Sequence, residues 1–143
     1  MAYKKIKPHK MSEEELRQLW NDEYCNVDIY THDGIHVKFY ERMFDHCFYE
    51  SQDRKAKDKS ILSLNRLEKM LWIKETLQDA EATLKKGWDR DSKTYTDDRR
   101  LAIVKDNYVV IILVFKDNRA RFVTAYEVTD DENLQLIIES PNW

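Results

Sequence analysis

Two dipeptides, Asp106-Asn107 and Asp117-Asn118, constrain this chain more than any other feature, because each separates two strand-like apolar runs by only two positions. Asp and Asn tolerate the positive φ angles that a two-residue hairpin loop demands. Residues 99–105, 108–115 and 119–127 are therefore expected to be consecutive antiparallel strands, and a further strand over 83–88 completes a four-stranded meander. The run at 108–115 is apolar on both of its faces, so it belongs in the interior of the sheet. It is less than half the roughly 20 residues that span a bilayer, and no membrane segment is expected.

Two-residue loops fix the register by arithmetic: Lys105 faces Tyr108, Lys116 faces Arg119, and every other pair follows. One face then carries the rows Ala102, Ile111, Thr124, then Val104, Val109, Tyr126, and on the other side Arg100, Leu113, Phe122. The opposite face carries Leu101, Ile112, Val123 and then Ile103, Val110, Ala125. That second face is uniformly apolar and should receive the helices. The first combines a hydroxyl, a phenol and a guanidinium, as ligand-binding sheet surfaces do, although Thr and Tyr are also ordinary strand formers and Arg100 an ordinary strand-end charge.

The remaining elements precede or follow the meander. Ser12 with Glu15 fits a capping box and predicts a helix over 13–24 carrying Leu16, Leu19, Trp20 and Tyr24. The alternation over 35–40 suggests a short strand after the turn Asp33-Gly34. Met43, Phe44, Cys47 and Phe48 then form a helical stripe, which leaves Arg42, His46 and Glu50, spaced by four, along the other face. A basic loop over 52–60, a helix over 63–78 and a last helix over 130–140 complete the expectation. The fold class is α+β, with N-terminal helices packed on one face of a four-stranded antiparallel meander and a C-terminal helix. With 143 residues, 42% of them apolar, the chain holds one core. Residues 1–10, with Lys4, Lys5, Lys7 and Lys10 and no acid, read as a basic disordered arm, and residues 11–143 as the single domain.

Composition excludes more than it selects. The net charge is -3, so any nucleic-acid surface must be local. Gly34 and Gly87 are the only glycines, which rules out a glycine-rich phosphate loop. Cys25 and Cys47 lack CxxC spacing and read as free thiols in a reducing cytoplasm. His32 and His36 would share a face only on a helix, and Asp33-Gly34 between them favours a turn, so no metal site is expected. Trp88 follows Lys85, Lys86 and Gly87, where it either packs or stacks on a base beside a basic patch.

The strings Asp45-His46-Cys47-Phe48, Tyr108-Val109-Val110-Ile111-Ile112 and Phe122-Val123-Thr124-Ala125-Tyr126, in the order helices then meander, resemble the superfamily that groups barnase, EndoU, the colicin ribonucleases and RelE, in particular its phage- and mobile-element-associated members. The resemblance spans residues 35–138. It implies a toxin-like, metal-independent endoribonuclease without cofactor, in which the RNA 2′-hydroxyl attacks the adjacent phosphorus. His46 is then the general acid or base, Thr124 binds the phosphate or places the 2′-hydroxyl, Tyr126 stacks or donates, and Arg100 stabilises the extra charge. Arg42, Lys86, Trp88 and Lys105 are expected to bind substrate. The implied partners are RNA, as tRNA or mRNA, and an antitoxin or immunity protein. A second proton-transfer group is not evident; His36, Glu50 or Lys105 must serve, or the chain is an RNA- or protein-binding module on the same scaffold.

Overall fold

The computed structural model describes residues 3–50, 61–86, 88–89, 94–95, 100–116 and 118–139. Helix α1 (Glu13–Trp20) begins where the Ser12 hydroxyl accepts from the Glu15 N–H and the Glu15 carboxylate accepts from the Ser12 N–H, each at 3.1 Å. It runs on into a π-helical turn over Asn21–Cys25, so Leu16, Trp20 and Tyr24 all reach the core. Strands β1 (Ile29–Tyr30) and β2 (His36–Lys38) pair antiparallel around Gly34, whose φ of 94° suits a residue without Cβ.

Helix α2 (Met43–Phe48) leads into β3 (Tyr49–Glu50), which pairs with β4 (Ile61–Leu62). The expected basic loop over 52–60 lies outside the described residues. Where one helix over 63–78 was expected there are two, α3 (Leu64–Leu67) and α4 (Trp72–Gln78). The Tyr24 hydroxyl explains the break. It donates to the Met70 carbonyl at 2.5 Å and accepts from the Lys74 N–H at 3.1 Å, occupying the place of the i→i−4 bond between those two residues.

The meander follows: β5 (Thr83–Lys86), the small pair β6 (Trp88–Asp89) and β7 (Thr94–Tyr95), then β8 (Arg100–Lys105), β9 (Tyr108–Lys116) and β10 (Arg119–Glu127). At the first hairpin, Asp106 takes the positive φ, 53°. Helix α5 (Asp131–Ile138) closes the described chain, its first turn capped by the Asp130 side chain. The four meander strands are antiparallel neighbours with β9 interior, as expected. The sheet, however, has six strands in the order β1-β2-β10-β9-β8-β5, and β2 joins β10 in parallel. The four-stranded antiparallel expectation is corrected to a mixed, six-stranded sheet.

Register departs from the arithmetic at two bulges. Arg119 faces Lys116, but Ala120 faces Val114, which leaves Phe115 extra on β9; Phe122 faces Ile112 and Thr124 faces Ile111, which leaves Val123 extra on β10. Between the bulges each β10 residue is moved one position relative to β9. Phe122 therefore joins Ile112 and Leu101 in the main core, and Arg121 takes the row with Leu113 and Arg100. The rows of Thr124 and of Tyr126 stand as expected.

Both faces of the sheet are covered in part. The main core lies between the sheet and α1 to α4, and includes Ile103, Val110, Ala125 and four mutually packed rings, Trp20, Tyr24, Phe39 and Phe122. A second cluster sits on the other face, where Ala102, Val104, Val109 and Ile111 are buried with Ile137 and flanked by Leu134 and Leu136 of α5. Residues 3–10, read from the sequence as an arm, lie against α3 and α4. The Ile6 N–H donates to the Glu68 carbonyl at 3.0 Å, the Tyr3 ring meets Trp72 edge-on at 6.1 Å, and its hydroxyl donates to Asp79.

Candidate functional site

Strand β2 covers the edge of β10 only from Arg119 to Arg121, and beyond that point α2 takes over. Its Met43, Phe44, Cys47 and Phe48 are buried, and the Cys47 thiol lies 3.7 Å from the Ala125 carbonyl. Arg17 holds the outer side of α2 through Asp45 at 2.5 Å while its guanidinium lies 4.5 Å from the centre of the Phe44 ring. The stripe that buries one side of α2 leaves His46 and Arg42, one turn apart, exposed on the other.

His46 and Arg42 open into one cleft of about 360 Å³, whose opposite wall is Arg121, Phe122 and Val123 of β10, with Met43 at its base. The bulge makes this wall. An extra residue bends its strand and re-aims the neighbouring side chains, and Val123 is that extra residue. Arg42 is steadied by the Tyr40 ring, 4.7 Å from its guanidinium carbon, and the Tyr40 carbonyl accepts from the Trp20 indole at 3.1 Å. One histidine and two arginines thus line a shared space, residue types suited to moving a proton and holding a phosphate.

The other sequence candidates lie elsewhere. Tyr126 lines a separate cleft of about 140 Å³ between the end of β10 and α5, with Asp130, Asn133 and Ile137 among its walls. Thr124 is half-buried in the row of Ile111 and Ala102, on the face that α5 partly covers. Arg100 pairs with Leu113 in the row of Arg121. Lys105 stands five residues further along β8, about 17 Å at strand rise, where Glu81 at 3.1 Å and Asp79 at 3.5 Å pair with its ammonium; these carboxylates hold its pKa above the ordinary lysine value. The backbones of Lys86 and Trp88 pair with Leu101 and Tyr95, and their side chains lie outside the described residues. Of the expected site, the structure brings together His46 and Arg42, not His46 with Thr124, Tyr126 or Lys105.

Of the three suggested second proton-transfer groups, Lys105 is at the wrong end of the sheet and the Glu50 side chain lies outside the described residues. His36 is on β2, its ring stacked on Tyr30 at 4.9 Å and 3.4 Å from Asp28. Cys25 is not poised as a nucleophile, because burial, with Glu41 nearby, pushes its thiol up to about 11. No cluster of three or more His, Cys, Asp or Glu among the described residues could hold a metal ion. No helix among them is long and apolar enough to cross a membrane.

Sequence reasoning missed Arg121. In an unbulged register it falls beside Val114 on the helix-covered face, and only the two bulges carry it out. The available signal was local: Arg119 and Arg121 alternate with Ala120 and Phe122, which asks for the two arginines outside. Against family models, curated proteins and solved structures this chain finds no match, so the geometry stands by itself.

Proposed function

We propose that this protein is a metal-independent endoribonuclease whose reaction centre is the cleft between α2 and β10. The observation that supports it is the meeting of His46 with Arg42 and Arg121 across one open cleft. The likeness of the His46 helix and the Phe122-to-Tyr126 strand to the barnase, EndoU, colicin and RelE group points the same way. In this reading His46 removes the proton from a ribose 2′-hydroxyl, and the oxygen attacks the adjacent phosphorus. The two guanidiniums neutralise the charge that gathers on the phosphoryl oxygens. The P–O5′ bond breaks, the imidazolium returns the proton to the leaving oxygen, and the product is a 2′,3′-cyclic phosphate. A single imidazole can serve both steps because it takes and gives a proton near neutral pH.

A second reading, RNA binding without cleavage, draws on the separation of Thr124 and Tyr126 from the His46 cleft. One experiment divides the two. Total RNA incubated with the protein in EDTA should yield fragments ending in cyclic phosphate, and His46→Ala should slow their release by roughly a hundredfold to ten-thousandfold, the usual effect of losing a positioned acid/base group. Because His46 is exposed, the variant should keep its fold. Fragments that form equally fast with His46→Ala would sink the assignment.

A further inference from the structure

The sheet register assembles a second feature that no local stretch of sequence displays. At the end of the sheet away from α5, two rows cross the strands on one face: Tyr30, His36, Arg119 and Lys116 in the first, and Lys38, Arg121, Leu113 and Arg100 in the second. Each row spans about 14 Å, and the two lie about 7 Å apart, from ordinary strand spacing and rise. Lys38, Lys116, Arg119 and Arg121 are all exposed. None of these four is in an ion pair among the described residues. In a chain of net charge -3 that concentration of cations makes a local positive field, with the Asp28 carboxylate beside His36 at its margin.

Two aromatic rings stand exposed beside these cations. Tyr30 is 48% and Phe115 52% exposed, and Phe115 is the extra residue of its bulge, turned outward next to the buried Val114. The Tyr30 ring rests on His36 at 4.9 Å on one side and has its other face to offer. Rings interleaved with exposed cations on a sheet face suit a ligand with both flat apolar surfaces and regularly spaced anions. The edge of the feature, Arg121, is also a wall of the His46 cleft.

We propose that this end of the sheet is a platform for single-stranded RNA, which Tyr30 and Phe115 hold by stacking on two bases while Lys38, Lys116 and Arg119 take phosphates and Arg121 hands the strand to the cleft. The choice of RNA rests on the ribonuclease reading. The preference for a single strand does not, because paired bases offer no free faces to rings on a flat sheet.

The test uses a single-stranded 2′-O-methyl RNA of about 12 nucleotides, which lacks the attacking hydroxyl and so reports binding alone. Fluorescence anisotropy should show it bound at least tenfold more tightly than the same sequence as a duplex. Tyr30→Ala and Phe115→Ala should each weaken binding about tenfold without altering its salt dependence. Lys116→Ala with Arg119→Ala should lower the slope of log affinity against log salt by roughly 1.4, two phosphate contacts on a single strand. Circular dichroism checks that each variant is folded. Equal affinity for duplex, or indifference to both ring substitutions, overturns the platform. So does poly-glutamate that competes with RNA and loses nothing on ring removal, which would make the face a site for an acidic protein. The two readings fail separately: binding without cleavage removes the ribonuclease and keeps the platform, whereas His46-dependent cleavage untouched by the ring and cation variants removes the platform alone.

Discussion

At the scale of single residues, Tyr24 shows how one polar atom can set the shape of a distant element. Its ring is among those packed with Trp20 and Phe39, and only 1% of the residue is exposed. Its hydroxyl has no water to turn to, so it must bond inside the protein, and it does so by opening the helix that passes over it. The Lys74 N–H, without its usual partner in that helix, donates to the same oxygen, which itself donates to the Met70 carbonyl alongside the Ile73 N–H at 3.4 Å. Tyr24→Phe keeps the ring and deletes that oxygen. The variant should lose about 1 to 3 kcal/mol of stability in denaturant titrations, the cost of leaving buried polar groups unpaired. A loss below about 0.5 kcal/mol would mean that Lys74 bonds Met70 directly once the hydroxyl is gone, so that the break has another cause.

At the scale of elements, what the sequence disclosed and what it concealed divide by distance along the chain. The capping box of α1, the hairpin at Asp106-Asn107 and the alternating strands are local, and each is where the sequence put it. The parallel pairing of β2 with β10 joins residues 36–38 to 119–121, and short stretches without a shared turn carry no sign of which partner they choose. The bulges are hidden for a different reason. Two-residue loops give a consistent register until burial is counted, and then Ala120 and Phe122 would sit with Thr124 outside the main core while Arg121 pointed into it. Moving one residue out of the ladder at each end of the stretch costs little beside that exchange. The same concealment kept Arg121 from the expected site, while His46 and Arg42 were legible because they share one helix face. A deletion tests the bulge directly. Without Val123 the inward and outward alternation of β10 is unchanged, since Phe122 and Thr124 already face opposite sides. The deletion variant should therefore fold cooperatively within roughly 2 kcal/mol of the parent, an ordinary cost for one substitution away from a cavity. RNA cleavage by it should fall well below the parent rate, because the wall bearing Arg121 is flattened. Failure to fold would show that the bulge holds the core together instead of shaping the cleft.

At the scale of the whole molecule, Trp72 gathers parts that lie far apart in sequence. Tyr3 from the N-terminal segment meets it edge-on at 6.1 Å, Tyr108 from β9 at 5.4 Å, and the ammonium of the buried Lys69 lies 5.6 Å from its ring centre. Lys69 in turn bonds Asn65 at 2.9 Å and Glu68 at 3.2 Å and approaches Glu127 at the end of β10 at 3.9 Å. Segment, helices and sheet are thus expected to unfold as one unit, and the phenols buried in that unit should make it sensitive to alkali. Burial holds Tyr24 and Tyr108 well above the ordinary phenol value, and burial together with the bond to Asp79 does the same for Tyr3. A raised folded pKa means that the fold prefers the neutral phenol. Its contribution is whole below the unfolded value, about 10, and is lost as pH rises from there towards the folded value. Lys105, raised by Glu81 and Asp79, acts in the same direction and the same window. Stability from denaturant titration should therefore be nearly level between about pH 7 and 8, begin to fall above about 8.5 as the raised Cys25 thiol comes into play, and fall more steeply above about 10. The two buried tyrosines together should contribute up to about 2.7 kcal/mol per pH unit, about 1.4 for each proton. Tyr24→Phe, already weaker at neutral pH, should show a slope shallower by up to about 1.4 kcal/mol per pH unit, the share of one proton. A parent protein as stable at pH 11.5 as at pH 8 would mean that these phenols ionise without unfolding, and that the core around Trp72 opens more readily than its burial implies.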